Sequence, residues 1–172
     1  MPYRSWQVRR AKPRTYAGQF LRATFLHQQE LRDELGAKLN GGRPGWNDDE
    51  PAVVDFACRL VLRRFFGNEY SALDIADFVD FTQAAAAGDA LFDLLQAEAV
   101  VREALGETGI DAKGIGPARK FVLRYTTAGL AALRLGLGED AAGEIIVDSE
   151  RMAFDQGWKP PLIRGKSSGV LS

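Results

Sequence analysis

The sequence predicts an all-α fold, a compact bundle of five or six helices with extended basic arms at its N- and C-termini. Three observations carry this. Apolar residues recur near the 3.6-residue helical period through most of the chain, with Ala and Leu abundant. The periodic stretches are punctuated by Asp, Asn or Ser at their starts and by Gly or Pro at their ends. The length of 172 residues, 46% of them hydrophobic, suits one ordinary domain. A chain of that size buries roughly 70% of its unfolded surface and needs no disulfide or metal staple. The expected organisation is a basic arm over residues 1–15, one helical domain over 16–158 and a basic tail over 159–172.

The first helix is expected from about Tyr16 to Leu39, because Phe20, Leu21, Phe25, Leu31, Leu35 and Leu39 fall on one side at 100° per residue. Asn40-Gly41-Gly42-Arg43-Pro44-Gly45 breaks it. The second follows Asn47-Asp48-Asp49-Glu50, with Pro51 in the first turn, where a missing N–H costs nothing. Its apolar residues from Val53 to Phe66 cover most of its circumference, which places it at the centre of the bundle. The third has Ser71 as N-cap, Asp74 at the capping-box position and Tyr70 with Ile75 as a hydrophobic staple, and Gly88 can end it. Asp89 is expected to cap a fourth helix, Ala90 to Leu105, closed by Gly106. A loop with four glycines over residues 106–116 leads to a fifth, opened by Pro117 and running to about Leu135. Its small residues Thr126, Thr127, Ala128, Gly129, Ala131 and Ala132 permit close contact with a neighbour. The sixth element covers about Glu139 to Gln156. Glu144 to Asp148 would also suit a short strand, but Ile145, Ile146, Ser149, Met152, Ala153 and Gln156 fit a helix face better. No repeat of fixed period is found.

Charge divides the chain. Residues 1–14 hold five cations and no acid, and residues 159–172 hold three cations and no acid. The 144 residues between them carry a formal charge of −9 within a net charge of −1. The whole chain is therefore neither a polycation built for nucleic acid nor an acidic disordered polymer. Arg outnumbers Lys 16 to 6, which points to a GC-rich prokaryotic or phage genome.

The scarce residue types exclude further classes. One cysteine, Cys58, cannot form an internal disulfide, and its apolar neighbours mark it as a core residue in a reducing compartment. One histidine, His27, cannot build a site needing two imidazoles. No metal or cofactor is expected. The first ten residues lack the apolar stretch of a secretion signal, and no window approaches 18 apolar residues. A cytoplasmic location, or a cytoplasmically assembled particle, is expected, without membrane contact.

Three constellations bear on function. Gly114-Ile115-Gly116-Pro117-Ala118-Arg119-Lys120-Phe121 resembles the hairpin of helix-hairpin-helix modules. The resemblance implies that backbone N–H groups at the helix start meet a nucleic-acid phosphate, with Lys113, Gly114, Gly116, Arg119, Lys120 and Arg124 as the contact set. The sequence departs from the family pattern at Lys120, where a small residue belongs at the helix contact. The second constellation is acidic. Asp74, Asp77 and Asp80 lie three apart, with Asp89 and Asp93 nearby and Glu30, Asp33 and Glu34 on the first helix. Paired carboxylates on two helices hold Mg²⁺ in all-α nucleotide pyrophosphatases, so an Mg²⁺-dependent phosphohydrolase is an alternative. Here the acids alternate with apolar residues, as on an ordinary solvated face. The third is the N-terminal arm, where Arg4, Trp6, Arg9, Arg10, Lys12 and Arg14 form a partner-binding set. The aromatic group Phe56, Phe65, Phe66, Phe78, Phe81 and Phe92 reads as core.

No phosphate-loop or dinucleotide fingerprint occurs. The favoured expectation is a non-catalytic helical assembly module that docks onto a protein partner, or onto copies of itself, through its basic arms. Nucleic acid is the alternative partner, and a small-molecule ligand is not expected.

Overall fold

Thr15 opens the first helix of the computed structural model, which describes residues 11–40, 49–86 and 92–163. Its backbone is extended and its hydroxyl accepts from the N–H of Gly18, an N-cap that satisfies one of the orphan donors of α1, Tyr16–Phe25. The first helix expected from the sequence is two. His27 adopts a left-handed φ of 55°, and the chain restarts as α2, Gln29–Asn40. The apolar stripe continues through both helices, so periodicity alone did not reveal the break. Seven helices therefore form among the described residues, where five or six were expected.

The next helix, α3, spans Glu50–Phe66 with Pro51 in its first turn. Val53, Val54, Ala57, Cys58, Val61 and Leu62 are almost fully enclosed. The helix packs most extensively on α6 and α7 and also on α1 and α5, which is the central position its all-round apolarity predicts. α4, Ala72–Ala85, starts with the expected capping box. The Asp74 carboxylate accepts from the Ser71 N–H at 2.7 Å, and the Ser71 hydroxyl accepts from the Asp74 N–H at 3.2 Å. These hydrogen bonds, the backbone one first, hold the Asp74 carboxyl below the usual carboxylate range.

α5 is Leu94–Ala104, starting later than expected because Asp93 rather than Asp89 is the cap. The extended backbone of Asp93 lets its carboxylate accept from the Gln96 N–H at 3.0 Å. Gly88 and Asp89 lie outside the described residues. Gly106, with φ 84°, follows α5 in the left-handed turn expected of a closing glycine. α6, Pro117–Leu135, and α7, Glu139–Asp155, match their expected ranges, and α7 is a helix rather than a strand. Gly129 on α6 lets α1 approach, since a Cβ there would stand 3.0 Å from the Thr24 methyl group.

The core is continuous from Ala17 to Ala153. Phe65, Phe66 and Phe78 meet with ring centroids 4.9–5.4 Å apart, Phe78 within the core and the other two half-buried against it. Phe81 is instead exposed, with the Arg134 guanidinium 4.9 Å from its ring centroid. No described helix is long and apolar enough to cross a membrane.

Candidate functional site at the junction of the two ends

The inner parts of both ends run along the helical body and meet. Thr15 and Leu162 form an antiparallel bridge. The Ile163 N–H donates to the Arg14 carbonyl at 2.8 Å, and the Tyr16 N–H donates to the Pro161 carbonyl at 3.3 Å. On its way from α7, the C-terminal segment is tied to the start of α3, where the Lys159 N–H donates to the Asp49 carboxylate at 2.7 Å.

Glu150 organises the junction from beneath. It lies on the buried stripe of α7 with Ile146 and Ala153, and only 1% of it is exposed. Its carboxylate accepts from the Arg14 N–H at 2.9 Å, the Thr15 N–H at 2.8 Å and the Thr15 hydroxyl at 2.7 Å. The Thr15 hydroxyl thus donates to Glu150 while accepting from Gly18, which uses both of its capacities. An anion at this place also lies at the positive end of the α1 dipole.

Two glycines make the approach possible. A Cβ on Gly18 would overlap the Glu150 carboxylate, and one on Gly143 would stand 2.8 Å from the Ala11 carbonyl oxygen. Above the junction the Arg14 guanidinium lies 5.4 Å from the Phe154 ring centroid. Lys12 and Arg14 are both exposed. The other members of the predicted partner-binding set, Arg4, Trp6, Arg9 and Arg10, lie outside the described residues.

An antiparallel bridge fixes direction. Arg14, just before Thr15, and Ile163, just after Leu162, lie on the same side of the bridge.

The glycine-rich loop has a different character. Ile115 is buried and anchors it, while Lys113, Gly114 and Gly116 are exposed. The Lys113 N–H donates to the Asp111 carboxylate at 3.0 Å. The remaining cations of the set turn back along α6 onto its neighbours. The Arg119 guanidinium donates to the Gln96 carbonyl oxygen at 3.2 Å, and the Lys120 ammonium lies 3.8 Å from Glu103. Arg124 lies 3.1 Å from Asp55 and 3.7 Å from Glu103, and Arg59 meets the same Asp55 at 2.9 Å. Lys120, at the position where helix-hairpin-helix modules have a small residue, thus reaches across to α5 through an ion pair.

The acidic residues do not converge. Asp74 is engaged by its capping box, Asp93 caps α5, and Asp77 and Asp80 are exposed. Among the described residues no group of three or more His, Cys, Asp or Glu side chains is placed to hold a metal ion. Cys58 is fully enclosed in α3, and burial pushes its thiol from 9.0 up to about 12, far from the range of a reactive thiolate.

Glu150, Thr15 and Gly18 were not singled out from the sequence. A signal existed for Glu150, a carboxylate standing at a core position of the α7 period between Ile146 and Ala153. The chain matches no family model, no curated protein and no solved structure, so the functional reading rests on this geometry.

Proposed function

We propose that the chain is a non-catalytic helical assembly module that docks onto a protein partner, or onto further copies of itself, through its two basic ends. The observation that carries the reading is the Thr15–Leu162 bridge, which ties the inner part of the basic N-terminal segment to the inner part of the basic C-terminal one. Two basic segments tied together at one junction act as a bivalent unit rather than as two independent tails, and bivalency raises affinity through effective concentration. The partner surface that complements them is acidic. The body of this same chain, with a formal charge of −9 between residues 15 and 158, supplies one.

The loop at Gly114–Gly116 supports a phosphate-binding reading less well. Lys120 and Arg124 already face carboxylates, so releasing them for a phosphate breaks existing pairs.

The test is sedimentation of the full chain against versions lacking residues 1–10, residues 164–172 or both, with circular dichroism to verify that the helices persist. The expected result is assembly, or co-sedimentation with an acidic protein from its genomic neighbourhood, that weakens with either deletion and disappears with both. Assembly or capture that is unchanged in the double deletion overturns the reading. A mobility shift of duplex DNA that falls steeply with salt would transfer the two ends to phosphate-backbone binding.

A further inference from the structure

A cavity of about 400 Å³ lies between residues 11–13, α1, α2 and the start of α7. Its apolar floor includes Ala23 on α1 with Leu31 and Leu35 on α2, while Gln19, Arg22, Gln28, Lys12 and Glu139 line it with polar groups. The volume falls within the range of small-molecule sites, and the composition, an apolar bed with a few polar groups, is their usual one.

Two features point to the chemistry of an occupant. Two cations, Lys12 and Arg22, line the cavity against one carboxylate, Glu139, so the lining carries a net positive charge. Leu31 is 42% exposed beside the nearly buried Leu35, one helical turn away. An open leucine beside an excess of positive charge offers an occupant both apolar surface and a cationic lining. We propose that this cavity binds a small amphipathic anion, a monocarboxylate or sulfonate with an apolar body of acyl or aryl type. Lys12 and Arg22 meet the anionic group, the carboxamides of Gln19 and Gln28 supply hydrogen bonds, and Leu31 and Leu35 take the apolar body. Because Lys12 belongs to the segment that crosses α7, the occupant touches both that segment and the helices.

The experiment is fluorescence titration of the full chain with anilinonaphthalenesulfonate, followed by competition with octanoate and with octanol. The expected result is saturable one-to-one enhancement, reversed by octanoate and much less by octanol at equal concentration. Arg22→Gln and Lys12→Gln should each weaken binding about tenfold, the scale of one charge-assisted hydrogen bond. Leu31→Glu should abolish it, with helical circular dichroism and the thermal transition retained because the position is half-exposed. Failure to saturate overturns the proposal, as does equal competition by octanol or unchanged affinity in the Arg22→Gln, Lys12→Gln double variant. None of these results depends on sedimentation behaviour, so the site and the assembly reading fail separately.

Discussion

At Gly18 two residue-scale effects oppose each other. Ala is the better helix former by about 1 kcal/mol, so propensity alone predicts that Gly18→Ala stabilises α1. The methyl group would overlap the Glu150 carboxylate, and moving that carboxylate strands the N–H groups of Arg14 and Thr15. Overpacking and lost hydrogen bonds together outweigh the gain. The expected outcome is a net loss of about 2 kcal/mol in denaturant unfolding, with Glu150→Ala losing at least as much. Cys58 gives a pH-dependent counterpart. Its folded-state pKa of about 12 lies above the ordinary 9.0 because burial strips the thiolate of water. The unfolded chain therefore releases this proton first, and the stability that burial of the neutral thiol contributes is present below pH 9 and lost as pH rises toward 12. Up to about 1.4 kcal/mol per pH unit belongs to this group within that window. Cys58→Ala should accordingly lose stability less steeply above pH 9, measured as the slope of unfolding free energy against pH.

Helix boundaries are the element-scale question. Capping signals located α4 because Ser71 and Asp74 satisfy one another locally, with no help from the rest of the fold. Ser71→Ala should cost about 1 kcal/mol, readable in the thermal transition. The start of α5 was ambiguous, since Asp89 and Asp93 both offer capping carboxylates and the choice depends on backbone conformation at each. The α1–α2 break was not legible at all. Phe20, Leu21 and Phe25 continue smoothly into Leu31 and Leu35 along one helical stripe, and no glycine or proline marks the interruption. A helix-ending turn, in which the His27 N–H donates to the Thr24 carbonyl at 3.2 Å and the Gln28 N–H to the Ala23 carbonyl at 2.9 Å, holds His27 in the left-handed region at φ 55°, a conformation that costs a non-glycine residue about 1–2 kcal/mol. His27→Gly relieves that cost and concedes some unfolded-chain entropy. The expected result is a gain of up to about 1 kcal/mol in chemical denaturation, with unchanged helical content.

On the scale of the whole molecule, the N-terminal segment is held by parts of the chain more than a hundred residues away. Arg14 is bonded through its N–H to Glu150 and through its carbonyl to Ile163. A protease needs that stretch extended and free, so native cleavage after Arg14 reports local opening. Truncation after Trp158 removes Ile163 and the bridge to Thr15, and trypsin cleavage after Arg14 should accelerate about tenfold or more while the helices remain. Equal cleavage rates in the two proteins would mean that the bridge contributes nothing to anchoring the N-terminal segment. The same long-range pairing explains why reading the ends as two separate arms missed the bridge between Thr15 and Leu162. Charge counting registers how many cations each terminus holds, and carries no information about where the termini meet.

By itself the sequence determined the helical class, the centrality of α3 and the α4, α6 and α7 ranges. These follow from period, capping and apolarity, which act over a few residues and are written locally. The burial of Glu150 under Arg14 and Thr15, the split at His27 and the cavity floored by Leu31 and Leu35 were decided by tertiary structure. Each depends on which distant backbone donors or side chains arrive beside a residue, a quantity set by the packing of seven described helices rather than by any stretch of the chain.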